Sequence, residues 1–115
     1  MLYMLFIYGN ETELKTLGEP EMGRRVAAYT AYMQSLGEAG VLVASNRLRP
    51  TEAATTVRVV DGRTQVLDGP YAETKEQLGG YFLIDVPDLD AALSWAVRCP
   101  GAMHGTIEVR PIWQM

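Results

Sequence analysis

Two segments of this chain are apolar almost without interruption, and both have the length of a strand. The first runs from Met1 to Tyr8 and the second from Tyr81 to Val86. A strand that is apolar on both sides belongs where both faces of its sheet are covered, as in the centre of a sheet. The sequence therefore predicts a sheet whose two central strands come from opposite ends of the chain.

A helix is predicted after the first of these strands, from about Pro20 to Ala39. Proline is well placed at its start, and Gly40 can adopt the left-handed conformation that ends many helices. Steps of three and four residues place an apolar stripe on the core side of this helix. The stripe consists of Met22, Val26, Tyr29, Met33 and Leu36.

A second helix is predicted after the other apolar strand. Asp88 can cap its first turn, and Pro100 and Gly101 end it. Its apolar side is predicted to consist of Leu89, Ala92, Leu93, Ala96 and Val97.

A hairpin is predicted between the two helices. Its strands are Thr55 to Val60 and Arg63 to Leu67, joined by the pair Asp61-Gly62. This pair is typical of two-residue turns in which both φ angles are positive.

The remaining strands are predicted at Val41 to Ala44 and at Thr106 to Ile112. Residues 9–19 are predicted to form a loop, and residues 72–78 a short helical turn.

The order of these elements predicts the fold. Without the hairpin it is βαββαβ, so we expect a single α+β domain over residues 1–115, ferredoxin-like with an inserted β-hairpin. Both helices then lie on one face of an antiparallel sheet, and the other apolar face is left uncovered. A two-fold homodimer with its sheets face to face would cover it. The alternative is a monomer in which the hairpin, Thr55 to Leu67, folds back over that face.

Composition argues against several classes of protein. The net charge of −4 disfavours direct nucleic-acid binding. No apolar run reaches transmembrane length and the amino terminus resembles a strand rather than a leader, so we predict a cytoplasmic protein without a membrane partner. One cysteine and one histidine do not make a metal site, and the pair Gly79-Gly80 lacks the nucleotide-binding glycine spacing, so no metal or cofactor is predicted.

The segment from Asp61 to Pro100, with the tetrapeptide Asp68-Gly69-Pro70-Tyr71, resembles the DGPF subgroup of the YCII-related family. The early YMLFIYG and the late IEVRPI also resemble it, while Tyr71 departs from the phenylalanine of the naming motif. The resemblance implies a dimeric α+β barrel. It also implies a possible sigma-factor partner, because similar proteins occur fused to sigma factors of the extracytoplasmic-function type.

The wider family implies a histidine–aspartate pair in which a carboxylate orients an imidazole. The histidine belongs at the start of the first helix, where Met22 stands here. The aspartate belongs just before a proline after the second helix, where this chain has Cys99. Methionine cannot transfer protons, so the resemblance does not carry this mechanism over and leaves enzymatic activity open.

Three polar residues are the candidates for a pocket. Asp68 either points into a pocket or bonds to the backbone of its own turn. Lys75 lies in a polar segment that either lines a pocket, contacts a partner or is a solvated turn. His104 is either a base or ligand at the rim of a dimer cleft or a surface residue.

Three functional hypotheses follow. The first is a small dimeric protein that binds a small molecule in a cleft beside the sheet. The second is a regulatory module that binds a protein linked to sigma-factor-dependent transcription. The third is a diverged enzyme that has lost its catalytic pair and keeps the scaffold.

Overall fold

The computed structural model describes residues 1–114 and has a sheet layer, a helix layer and a separate hairpin. The elements in chain order are β1 (Leu2–Gly9), α1 (Glu11–Lys15), α2 (Glu19–Glu38), β2 (Leu42–Arg47), β3 (Thr55–Val60), β4 (Arg63–Asp68), β5 (Gln77–Asp85), α3 (Leu89–Arg98) and β6 (Thr106–Pro111). Short 3₁₀ segments cover Thr51–Ala53 and Pro100–Met103.

The sheet order β2-β5-β1-β6 confirms that the two apolar strands are central. Every neighbouring pair in this sheet is antiparallel, as the ferredoxin-like βαββαβ order requires. The β1–β5 register places Leu5 opposite Phe82 and Met4 opposite Leu83. Because side chains alternate along a strand, these two pairs lie on opposite faces of the sheet.

The core lies between the helix-side face of the sheet and the helices α2 and α3. On the sheet it contains Leu5, Phe82 and Ile84, each no more than 3% exposed. From α2, Tyr32 packs edge-on against Phe82 at a ring-centroid distance of 5.2 Å, and its hydroxyl donates to the Trp95 carbonyl oxygen at 2.8 Å. This hydrogen bond ties α2 to α3 across the core.

The predicted stripe of α2 is only partly right. Leu36 is fully buried, but the other core position is taken by Tyr32, which lies outside the predicted stripe. Val26 and Met33 remain 52% and 42% exposed. The cause is that both side chains border an open groove instead of the core.

The predicted apolar side of α3 is also only partly right. Ala92 and Ala96 are buried, whereas Leu89, Leu93 and Val97 are exposed. The alanines are small enough for the helix backbone to approach the sheet closely, and Ala91 and Trp95 pack against the same core.

Two local predictions were wrong. Helix α1 forms within the predicted loop, because the Asn10 side chain accepts a hydrogen bond from the Glu13 backbone N–H at 2.9 Å and caps it. Strand β5 begins at Gln77, four residues before the prediction, so the helical turn over residues 72–78 does not form. Gly80 permits this extension, since a Cβ there would lie 2.9 Å from the Asn46 carbonyl oxygen.

The predicted hairpin is confirmed as β3 and β4, with positive φ angles of 51° at Asp61 and 75° at Gly62. Within residues 1–114 these two strands pair only with each other. Val57, Val59 and Val66 share one face of the hairpin and are 59–67% exposed. The monomer alternative required the hairpin to fold back over the sheet face that the helices leave uncovered. The exposure of these valines shows that the hairpin is not buried there.

No helix among the described residues combines the length and the apolarity needed to cross a bilayer.

The close approach at Gly80 generates a prediction about stability. We expect Gly80→Ala to lower the free energy of unfolding by about 1–3 kcal/mol, because the new Cβ meets β2 backbone that cannot rotate away. The matched control is Gly23→Ala in α2, where a Cβ meets nothing within 4 Å and a gain of about 1 kcal/mol is expected. Urea unfolding measures both, and a Gly80→Ala protein as stable as the wild type would contradict the described β2–β5 pairing.

Candidate functional site

A groove with a cavity volume of about 790 Å³ lies between α2 and one end of the sheet. On the sheet it is bordered by the end of β1, the end of β2 and the start of β5. Its other borders are α1, the part of α2 from Met22 to Met33, and the segment after α3. Within the described residues it is much larger than the second hollow, which is about 170 Å³. This groove is the candidate functional site.

The groove exists because side chains are missing from its walls. Five glycines border it: Gly9, Gly79, Gly80, Gly101 and Gly105. A bulge between Ile7 and Tyr8 also shifts the β1–β5 register at this end of the sheet. The sheet therefore continues past the core without large side chains to fill the space under α2.

One wall of the groove is the exposed half of the α2 stripe. Met22, Val26 and Met33 all border it. Leu48, just after β2, faces it from the other side and is 43% exposed. Apolar side chains that remain in water here can be covered by a molecule that enters the groove.

An aromatic pair lies where the groove meets the core. The Tyr29 and Phe82 rings are nearly parallel, with an interplanar angle of 9° and centroids 6.4 Å apart. A Cβ at Gly101 would lie 2.5 Å from the Tyr29 hydroxyl and 2.9 Å from the Ile7 Cγ2. Gly101 is therefore the residue that leaves room for the Tyr29 hydroxyl.

Cys99 lies behind this aromatic pair and is 1% exposed. The Cys99 sulfur and the Gly101 backbone lie close to the Tyr29 hydroxyl. Burial is the main cause that raises the pKa of the Cys99 thiol and the pKa of the Tyr29 hydroxyl. Both groups are therefore neutral near physiological pH, so Tyr29 is a hydrogen-bond donor and Cys99 is not a nucleophile.

Charged groups border the groove from two sides. Arg25 lies on α2, and Arg47 and Arg49 lie at the end of β2 and just after it. The acidic residues Glu11 and Glu13 also border it. Glu11 is engaged elsewhere, because its carboxylate accepts hydrogen bonds from the Thr51 backbone N–H at 2.8 Å and the Thr51 hydroxyl at 2.7 Å.

The structure brings one of the three predicted pocket residues to the groove. His104 borders it and is exposed. Asp68 lies at the exposed end of β4 and Lys75 in an exposed segment, and neither borders the groove. The three side chains thus do not converge there, and a functional role for each of them stays a prediction.

The Asp68-Gly69-Pro70 motif has a structural role, which depends on the backbone of Gly69. Gly69 has a φ of 106°, and its N–H donates to the Ala54 carbonyl oxygen at 2.7 Å. The Thr56 hydroxyl donates to the Gly69 carbonyl oxygen at 2.8 Å. The motif therefore closes the base of the hairpin.

Of the two positions singled out by the family resemblance, Met22 borders the groove and Cys99 does not. Met22 is in its wall and Cys99 lies behind the aromatic pair. Tyr29 was predicted as part of the core stripe of α2, and Arg25 was not among the candidate pocket residues. Their spacing of four along α2, on the same side as Met22 and Val26, was the signal that could have grouped them.

Among residues 1–114, no three histidine, cysteine, aspartate or glutamate side chains come together in a way that could hold a metal ion.

Comparison with known proteins places this chain in a family. The YCII-related domain matches residues 1–115. The chain belongs to the YCII-related family. An uncharacterised member, protein R00369 of Rhizobium meliloti (strain 1021), is 42% identical over 114 residues, which cover 97% of this chain and 92% of that protein. The DGPF subgroup within the family stays a prediction.

A solved structure shares the fold of this YCII-related protein. It is the 5-chloro-2-hydroxyhydroquinone dehydrochlorinase TftG from Burkholderia phenoliruptrix AC1100, in complex with 2,5-dihydroxybenzoquinone. The TM-score is 0.55, the sequence identity is 14%, and the match covers 99% of this chain and 94% of that one. At this identity the likeness establishes a similar fold.

The burial of Cys99 predicts an unreactive thiol. We expect iodoacetamide to label it at least about tenfold more slowly in the native protein than in urea, because burial both shields the sulfur and disfavours the thiolate. Mass spectrometry measures the rate. The control is Val97→Cys in a Cys99→Ser background, which places a thiol at a position 77% exposed. Native Cys99 reacting as fast as that control would contradict the described packing.

Proposed function

We propose that this YCII-related protein binds a small molecule in the groove beside α2. The groove itself carries the proposal: its volume of about 790 Å³ lies within the range of about 300–1,000 Å³ that is typical of ligand sites. Its wall on α2 is largely apolar, and polar and charged side chains border its other sides. The complex of TftG with 2,5-dihydroxybenzoquinone is compatible with a small-molecule site in a protein of this fold.

Covering the wall supplies the driving force for binding. Val26 and Met33 are 52% and 42% exposed although they lie on the apolar stripe of α2. Removing apolar surface from water contributes about 25 cal/mol per Å² before the costs of association are subtracted. A ligand with a planar or chain-like apolar body would gain this free energy by covering the wall.

The groove supports binding better than it supports the chemistry implied for the wider family. Met22 has no proton to transfer, and the raised pKa of the buried Cys99 thiol keeps it protonated. A proton-transfer role in this groove would therefore depend on other groups at its border, such as Glu13 or His104, the single imidazole of the chain. Neither the structure nor the comparisons support the sigma-factor alternative, and we do not propose it.

Binding in the groove is testable by NMR of methyl groups. We expect 2,5-dihydroxybenzoquinone, or members of a set of small aromatic and aliphatic fragments, to shift the methyl signals of Met22, Val26 and Met33, which border the groove. Met103 is the internal control, because it is 83% exposed but does not border the groove. Shifts at Met103 alone, or no shift with any compound, would contradict the proposal.

The protein is further proposed to act as a homodimer. On the sheet face opposite the helices, Met4 pairs with Leu83 and Phe6 with Tyr81, and Trp113 beside them is 89% exposed. We call this the open face. The molecule has principal extents of 48 × 44 × 18 Å, so it is thin in one direction. A second copy on the open face would supply the missing layer.

The dimer is tested by sedimentation velocity. We expect the wild type to sediment as a dimer at micromolar concentration and Phe6→Glu to sediment as a monomer, because a charge on the open face opposes its burial. Val97→Glu is the matched control on the helix side, at a position 77% exposed, and it should remain dimeric. A folded wild-type monomer at millimolar concentration would contradict the proposed dimer.

A further inference from the structure

Two polar side chains on α2 lie one turn apart and both border the groove, Arg25 and Tyr29. We propose that they jointly recognise an acidic oxygen of the bound molecule, so that the ligand is a planar apolar compound bearing an ionised hydroxyl or carboxylate. This inference rests on the proposed function, since it names the chemical class of the molecule in the same groove.

Arg25 is positioned to bind an anion. Its side chain is only 18% exposed, and its Nε donates to the Glu21 carboxylate at 3.2 Å. The terminal guanidinium nitrogens have no hydrogen-bonded acceptor within residues 1–114. Glu21 also accepts two hydrogen bonds from Arg24, at 2.8 and 3.0 Å, so its charge is shared between two cations. Arg25 therefore keeps both charge and donors for an oxygen in the groove.

The Tyr29 hydroxyl supplies a second donor at the same place. Within residues 1–114 the Tyr29 hydroxyl donates to no oxygen or nitrogen, and the nearby Cys99 sulfur is at best a weak acceptor. An anionic oxygen in the groove is a stronger acceptor, so turning the hydroxyl towards it forms a charge-assisted bond. Gly101 makes this possible, because any side chain there would collide with the hydroxyl.

The charge of Arg25 reaches the Tyr29 oxygen. Burial raises the pKa of Tyr29, and the positive charge of Arg25 acts in the opposite direction, favouring negative charge at that oxygen. The same field favours a negatively charged ligand oxygen placed beside the hydroxyl. The parallel rings of Tyr29 and Phe82 and the apolar wall accommodate a flat body attached to it.

The other charged groups of the groove do not reverse this preference. Arg47 and Arg49 also border it, so arginines outnumber the two acidic residues there. One of those acids, Glu11, is bonded through both carboxylate oxygens to Thr51. The groove is thus cationic on balance although the whole chain carries a net charge of −4.

Two matched pairs of variants test the inference with 2,5-dihydroxybenzoquinone, whose hydroxyls are ionised at neutral pH, as the probe. Arg25→Gln is expected to weaken binding at least about tenfold, the usual size of one charge-assisted hydrogen bond, and Tyr29→Phe by a comparable factor. Arg24→Gln is the control for charge, because Arg24 also bonds to Glu21 but does not border the groove.

Tyr32→Phe is the control for the lost hydroxyl. Tyr32 also contacts Phe82 and also has a pKa raised by burial, but its hydroxyl donates to the Trp95 carbonyl oxygen and it does not border the groove. We expect Tyr32→Phe to lower the urea midpoint and leave probe affinity unchanged. Tyr29→Phe should leave the urea midpoint unchanged and weaken the binding of the probe. The urea midpoint of each variant shows whether any loss of affinity comes from unfolding.

The wild type alone gives a further test that needs no variant. The dimethyl ether, 2,5-dimethoxybenzoquinone, has the same ring but no acidic oxygen, and we expect it to bind at least about tenfold more weakly. The inference is overturned if both probes shift the Met22, Val26 and Met33 methyls with equal affinity. It is also overturned if Arg25→Gln and Tyr29→Phe bind the acidic probe as the wild type does. In either case the groove remains a binding site. If neither probe shifts those methyls, the inference is overturned, and the proposed function loses its support if the fragment set also fails.

Discussion

The antiparallel pairing of β1 with β5 is the interaction on which the rest of this structure depends. It joins the two most apolar segments of the chain, and its register assigns each of their side chains to a face of the sheet. Leu5 and Phe82 are placed under the helices, and Met4 and Leu83 on the open face. A slip of one residue would exchange the two sets, so core, groove and open face all follow from one register.

The groove follows from where this pairing loses its regularity. Near the end of β1 the register shifts by a bulge, and β5 begins with residues that include Gly79 and Gly80. Helix α2 crosses that end with a stripe that has two roles. Tyr32 and Leu36 complete the core, while Met22, Val26 and Met33 border the groove. A single amphipathic helix thereby provides both the packing of the fold and one wall of the proposed ligand site.

Most of the fold was predictable because it depends on patterns local to each element. The central strands, the hairpin turn at Asp61-Gly62 and the cap at Asp88 each have a one-dimensional signal. The groove had no such signal, because the pattern alone does not show which residues of α2 reach the core. Tyr32 was left out of the predicted stripe for that reason, and Val26 was included in it. The sequence pattern also could not show that Cys99 and Tyr29 meet, since 70 positions separate them and only the docking of α3 brings them together.

The most direct measurement of the central claim is a crystal structure of the protein grown with 2,5-dihydroxybenzoquinone. The account predicts electron density for the compound between the Met22–Met33 wall and the Tyr29–Phe82 pair, with an oxygen within hydrogen-bonding distance of the Tyr29 hydroxyl. Density elsewhere on the molecule, or an α2 helix closed down on Gly79 and Gly80 so that no groove remains, would contradict it.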